Sequence, residues 1–248
     1  MKIIADTNIW YELGRNKDLF ELVRNEPICP TYVNIEELSL TKNIIEKENE
    51  VRTAIQKMFN YKYNVIYEPP FFHLAKLYCN YEFDPLKSMK DLLEFTQVIA
   101  KGDRISDENR EKYLGFVNKV KENSKELSDF FNIEAQKIKA KIKSKKEHRN
   151  KVTFIMVTGF IDYIVKQVTK NECTLEGIEF GVIELILKTL DTFFYRVETS
   201  SMKIQPNDWH DLAILAYVRQ GDKYWTRERR WITLIKEAGC EEYLYTKF

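Results

Sequence analysis

Lys2-Ile3-Ile4-Ala5-Asp6-Thr7-Asn8-Ile9-Trp10 is the stretch on which the fold turns. Apolar residues run up to Asp6, and small polar residues follow at once. A short apolar run bounded by turn-forming residues predicts a buried strand of a parallel sheet. Open parallel sheets gather their ligands beyond the carboxyl ends of the strands, and Asp6 stands at that edge. A lone buried carboxylate costs several kcal/mol, so Asp6 must be paired or bound to a metal. An ordinary role competes with this one. Asp ahead of a helix is a common N-cap, worth about 1 kcal/mol. Function has to be argued from acids elsewhere in the chain.

Composition bounds the rest. The chain has 248 residues, enough for one large domain or two small ones. It is 44% hydrophobic, which suffices for a core, and its 31% of charged residues nearly cancel to a formal +1. Overall charge therefore selects no partner; only its distribution can. No signal peptide is evident, since Lys2 leads into a strand-like run. The longest apolar stretch, Val152 to Val165, is interrupted by Asp162 and is too short for a membrane span. Cys29, Cys79, Cys173 and Cys240 are scattered singly, which argues against a compact zinc site and predicts buried reduced thiols. The expectation is a soluble cytoplasmic protein with no membrane contact.

Reading outward from Asp6, a helix is expected over Lys17–Arg24, then a short strand at Ile28-Cys29 between Pro27 and Pro30. Thr31 caps a helix carrying Val33, Glu36, Glu37, Leu38 and Leu40. It begins where its strand ends, at the same sheet edge as Asp6. Glu36 and Glu37 lie about 100° apart, so one of them faces that edge. Asn64-Val65-Ile66-Tyr67 reads as a further strand and Phe71–Tyr81 as a helix. Strand followed by helix, repeated, predicts a parallel sheet with right-handed crossovers.

From Glu82 to Thr199 the chain turns helical in period and strongly charged. Asp107–Lys145 carries apolar residues at helical intervals, and helices around Phe154–Val168 and Thr174–Phe194 look apolar enough to be buried. A helical insertion (82–199) between two parts of one α/β domain (1–80 and 200–248) is the organisation expected. Within it, Lys137, Lys139, Lys141, Lys143, Lys145 and Lys146 form a cationic run suited to a phosphate backbone, or else to solvent.

Near the C-terminus, Pro206-Asn207-Asp208-Trp209-His210-Asp211-Leu212-Ala213 starts a helix. Asp208 and Asp211 share one of its faces. Lys223-Tyr224-Trp225-Thr226 reads as a strand with Glu228 just past its end, and Tyr243-Leu244-Tyr245 as a last strand. Asp6, Glu37, Asp211 and Glu228 thus come from separate strand ends, with Asp208 beside them. Two like charges at 4 Å repel by about 4 kcal/mol at an effective dielectric of 20. Such a cluster takes up protons or holds a cation, and hard oxygen ligands suit Mg²⁺ or Mn²⁺.

These residues resemble a PIN-domain nuclease at four stations. Ile3-Ile4-Ala5-Asp6-Thr7-Asn8 is similar to the family's opening strand and first acid. Thr31 through Leu38 resembles the second station, whose Glu-Leu pair selects Glu37. Asn207 through Ile214 resembles the third, with Asp211 as the usual acid and Asp208 as an extra one. Trp225-Thr226-Arg227-Glu228 resembles the fourth, with Glu where the family often has Asp. The resemblance covers residues 1–80 and 200–248. It implies a three-layer PIN-like fold and metal-dependent phosphodiester hydrolysis, usually of RNA, in some members as toxins held by an antitoxin protein. On that reading Asp6, Glu37, Asp211 and Glu228 are catalytic and bind Mg²⁺ or Mn²⁺ together with Asp208. Thr7, Asn8 and Thr226 orient carboxylates or touch phosphate, and Arg227, Arg229, Arg230, Lys141 and Lys145 meet nucleic acid. A homo-oligomer stays open. Two rivals remain: a PIN-like scaffold that binds RNA or protein without cutting, and a HAD-type phosphohydrolase with Asp6 as nucleophile. The latter typically has a second Asp two residues on, where this chain has Asn8.

Overall fold

Three short parallel strands lie at the centre of the computed structural model, which describes residues 1–61, 63, 65–84, 87, 90–102, 107–141, 154–175 and 180–247. β1 (Ile3–Ala5) sits between β2 (Ile28–Cys29) and β3 (Lys223–Trp225). Ile3 is opposite Ile28 and Lys223, and Ala5 is opposite Trp225. Single parallel bridges widen the sheet on both sides, Thr31 with Ile66 beyond β2 and Tyr224 with Leu244 beyond β3. The strand expected over Asn64–Tyr67 is thus reduced to the bridge at Ile66, and Asn64 lies outside the described residues. The strand expected at Tyr243–Tyr245 is a 3-10 turn over Glu241–Tyr243 followed by the bridge at Leu244. Pro27 and Pro30 keep β2 short, because proline has no N–H for the ladder.

Side chains alternate across this sheet and feed two cores. Ile3, Ala5, Ile28 and Trp225 face one, and Ile4, Cys29 and Tyr224 face the other. The first core is closed by α1 (Thr7–Arg15), α2 (Lys17–Val23), α3 (Tyr32–Ser39), α4 (Asn43–Glu46) and α5 (Glu48–Phe59). α5 has no counterpart among the expected elements; Val51, Ala54, Ile55 and Met58 fall on one helical face and are all buried. α1 and α5 approach closely at Gly14, where a Cβ would lie 3.0 Å from the backbone nitrogen of Ala54. The second core takes α6 (Pro70–Cys79), whose proline occupies the helix start where no N–H is needed.

The remaining helices are α7 (Lys90–Lys101), α8 (Asp107–Lys139), α9 (Phe154–Val168), α10 (Glu184–Thr199), α11 (Asp208–Ala213) and α12 (Arg229–Glu237). The helix expected over Thr174–Phe194 begins ten residues later than its predicted start, after a 3-10 turn over Phe180–Ile183. The insertion does not stand apart from the sheet. Ile99, Tyr113 and Val117 enter the first core, whereas Ala135, Val157, Ile161 and Phe193 enter the second. α8 has 33 residues and is about 50 Å long, so it reaches both. The Tyr113 hydroxyl donates to the Ser39 carbonyl, and the Trp209 indole N–H donates to Ser128 Oγ at 2.9 Å. Asn132 accepts from the Ile204 N–H at 2.9 Å and donates to its carbonyl at 3.0 Å.

The outcome is a mostly helical chain around a small parallel sheet, compatible with the α/β expectation. The cysteine expectation needs correction. Cys79 and Cys173 form a disulfide that ties the end of α6 to the segment after α9, while Cys29 and Cys240 are free and buried. Among the described residues no helix is long and apolar enough to cross a membrane.

Candidate metal centre

Asp6 is held by the sheet itself. Its backbone N–H donates to the Trp225 carbonyl at 2.9 Å, so the residue is still in register when its side chain leaves β1. Its carboxylate does cap α1, accepting from the Asn8 N–H at 3.2 Å. The other oxygen accepts from Thr226 Oγ at 2.8 Å. The carboxyl is only 3% exposed. Burial raises its pKa, opposed by the Thr226 and Asn8 hydrogen bonds. Capping and a functional role are therefore compatible in one residue.

Asn34 builds the next part of the site. Its Oδ1 accepts from the Thr31 N–H at 2.9 Å and the Thr31 hydroxyl at 3.0 Å, which closes the start of α3. Its Nδ2 donates to the Ala5 carbonyl at 3.0 Å and to Thr7 Oγ at 3.1 Å. With its lone pair so used, the Thr7 hydroxyl donates its proton to Glu37 Oε2. One fully buried amide thus ties β1, α1 and α3 together and aims Glu37 at the sheet edge. Glu36 turns elsewhere, accepting from the Tyr32 hydroxyl at 2.9 Å and lying 3.6 Å from His210 Nε2.

The third and fourth acids come from the C-terminal region. Asp211 sits on α11, and Glu228 caps the approach to α12. Glu228 Oε1 accepts from Asn8 Nδ2 at 2.6 Å, and its backbone N–H donates to Thr226 Oγ at 3.1 Å. Asn8 and Thr226 therefore orient carboxylates. Asp6, Asp211 and Glu228 each place a carboxylate oxygen within 4.8 Å of the others. Around Mg²⁺ adjacent ligand oxygens stand about 3 Å apart and opposite ones about 4.2 Å, so these three oxygens could hold a hard divalent ion once drawn in toward it.

The electrostatics fit the same donor set. Burial, reinforced by Asp6, Glu37 and Glu228, pushes Asp211 up to about 9. Burial raises Glu37 to about 7 against the pull of His210 and the Thr7 hydroxyl. Glu228 is also raised, by burial and then by Asp6. Carboxyls crowded in this way hold protons unless a cation replaces them.

Several expected participants are engaged otherwise. Asp208 is 3% exposed and gives both oxygens to Arg230, at 2.7 and 2.9 Å, with the Gln205 N–H at 2.7 Å on one of them. Asp208 is thus engaged in an ion pair with Arg230 and is not one of the three acids whose oxygens gather. Arg227 is paired with Glu12. Arg229 is exposed at the start of α12. Lys141 is exposed just past the end of α8, and Lys145 lies outside the described residues. A cation missed in the sequence is nearer. Lys121 of α8 lines a cavity of about 160 Å³ with Glu36, Glu37, Ser124 and His210, on the order of 30 Å along the helix from Lys141. No protein family, curated protein or solved structure matches this chain.

Proposed function

We propose that this chain is a divalent-metal-dependent nuclease with a PIN-like fold, acting on phosphodiester bonds and on RNA in particular. The observation that carries the reading is the meeting of Asp6, Asp211 and Glu228, from distant parts of the chain, with ligand oxygens within 4.8 Å of one another. These three would hold Mg²⁺ or Mn²⁺, with Glu37 adjacent and held by Thr7. When bound, such an ion would supply a water of lowered pKa and positive charge for the phosphate oxygens. The protein's own part is positioning: Thr226 and Asn8 fix Asp6 and Glu228, and Asn34 fixes Thr7. Lys121 and His210 line the adjoining cavity beside Glu36 and Glu37, and these two side chains would meet a backbone phosphate entering there. Burial lowers the His210 pKa while Glu36 and Glu37 raise it, with a net rise that favours the cationic ring.

The test is incubation of the purified protein with labelled single- and double-stranded RNA and DNA, with Mn²⁺ or with EDTA. Cleavage of RNA that needs the metal and vanishes in Asp6→Asn supports the reading. Full activity in EDTA, or in Asp6→Asn, removes it. A phosphoenzyme trapped on Asp6 would favour the HAD-type rival instead.

A further inference from the structure

A second cavity, lined by neither Asp6, Asp211 nor Glu228, runs beside β2 from Lys2 at the start of β1. It has a volume of about 720 Å³, within the roughly 300–1,000 Å³ of small-molecule sites. Lys2 leads into β1 and contributes to its lining, so at about 3.3 Å per residue this lysine lies roughly 13 Å along the strand from Asp6.

Its lining is unbalanced in charge. Lys2, Lys76 and Arg219 face it, against one carboxylate, Glu68, which is already paired with Lys76 at 2.5 Å. Nearby Asp222 gives its oxygens to the backbone N–H groups of Lys2, at 2.7 Å, and Arg219, at 3.4 Å. Among the described residues no carboxylate pairs with the side chains of Lys2 or Arg219. The partner that Arg219 does have is His73, whose Nε2 lies 3.4 Å from a guanidinium nitrogen. A guanidinium only donates, so this nitrogen accepts and the ring is neutral. Burial first, then Arg219, Lys2 and Lys76, push His73 down to about 4, with Glu68 opposing. Tyr63, Val65 and Leu77 supply an aromatic and apolar wall to the same cavity.

We infer that this cavity binds a phosphorylated small molecule, a nucleoside phosphate whose phosphate lies between Lys2 and Arg219 and whose base rests on the Tyr63 side. A guanidinium fork matches two phosphate oxygens, and an ammonium adds a point charge. The apolar part of the lining gives a flat base a face to cover. The inference does not depend on the metal centre.

Binding is measured calorimetrically in EDTA with adenosine and guanosine 5′-monophosphates, inorganic phosphate and adenosine, on the wild type, Asp6→Asn, Lys2→Gln and Arg219→Met. With three histidines in the chain, the His73 ring is followed in parallel by nitrogen-detected NMR. The expected result is saturable binding of the nucleotides, weakened at least about tenfold by either cation variant and unchanged in Asp6→Asn. His73 should then titrate nearer its ordinary 6.5 when ligand is bound, because the anion offsets the cations around it. Lys2 is exposed, so Lys2→Gln keeps the test valid should Arg219→Met fold poorly. Tighter binding of the nucleotides than of inorganic phosphate assigns the apolar wall to the base, whereas inorganic phosphate binding as tightly as the nucleotides overturns the assignment of a nucleoside phosphate. Absence of saturable binding by any phosphate-bearing probe at millimolar concentration overturns the inference. So does binding that survives both cation variants, or adenosine binding as well as its monophosphate. Because the experiment excludes metal, its failure leaves the nuclease reading intact.

Discussion

Replacing Asp211 by Asn should make the metal-free protein more stable, contrary to the usual effect of altering a partly buried polar residue. The Asp211 carboxyl ionises near 3.8 in the unfolded chain and at about 9 in the fold. Between those limits the folded protein keeps a proton that the unfolded chain has released. Stability therefore falls as pH rises through this window. At pH 7 an isolated group displaced this far would cost about 4 kcal/mol. Asp6, Glu37 and Glu228 share the repulsion and solvent reaches part of the side chain, so about 2 kcal/mol is expected. Asn is uncharged at every pH and removes this cost. For a chain of this size the gain corresponds to a rise in Tm of about 4–8 °C. Circular-dichroism melts in EDTA from pH 5 to pH 9 measure it. The gap between Asp211→Asn and wild type should widen with pH. Excess Mn²⁺ should close or reverse it, since an ion at 100 times its Kd adds about 2.7 kcal/mol to the wild type alone. A variant that melts below wild type in EDTA at pH 8, or a gap that does not change with pH, would refute the reasoning.

Asn34→Leu removes all four contacts of a buried amide and should cost about 2–4 kcal/mol in urea unfolding; a loss below about 0.5 kcal/mol would show that the amide does not organise this edge. Arg230→Met leaves Asp208 buried without its cation and should cost about 3 kcal/mol, partly recovered in the Asp208→Asn/Arg230→Met double variant. Asp208→Asn should leave Mn²⁺ affinity nearly unchanged, and a large loss measured by calorimetry would restore it as a ligand. Alkylation of the denatured, unreduced protein should modify Cys29 and Cys240 only, with Cys79 and Cys173 joining them after reduction. Reduction should lower stability by up to about 4–5 kcal/mol for a loop of this length, read as a fall in Tm with dithiothreitol.

The sheet edge was legible because the change from apolar to polar at Asp6 is abrupt and strands of a small parallel sheet are short. The same local logic placed α11 and β3, whose starts carry Pro206 and Gly221. α5 is legible too, with Val51, Ala54, Ile55 and Met58 at helical spacing, though it lies between segments of stronger pattern. Other features are tertiary in origin. Nothing local marks Asp208 as the partner of Arg230, 22 residues on, because an acid in a first turn already has a satisfactory role there. The disulfide joins cysteines 94 residues apart, and their pairing follows only from how α6 and α9 pack. Lys121 is one of many lysines on a long charged helix, and only the course of α8 beside α3 brings it to the cavity. The dense lysine run is conspicuous in composition, whereas proximity to the acids depends on the path of the chain.

Calorimetric titration of the metal-free protein with Mn²⁺ at pH 7.5, on wild type, Asp6→Asn and Asp211→Asn, tests the central claim most directly. Saturable binding to wild type that is weakened at least about tenfold in both variants is the predicted result. A wild-type protein that takes up no Mn²⁺ at millimolar concentration, or variants that bind it equally well, would contradict the claim.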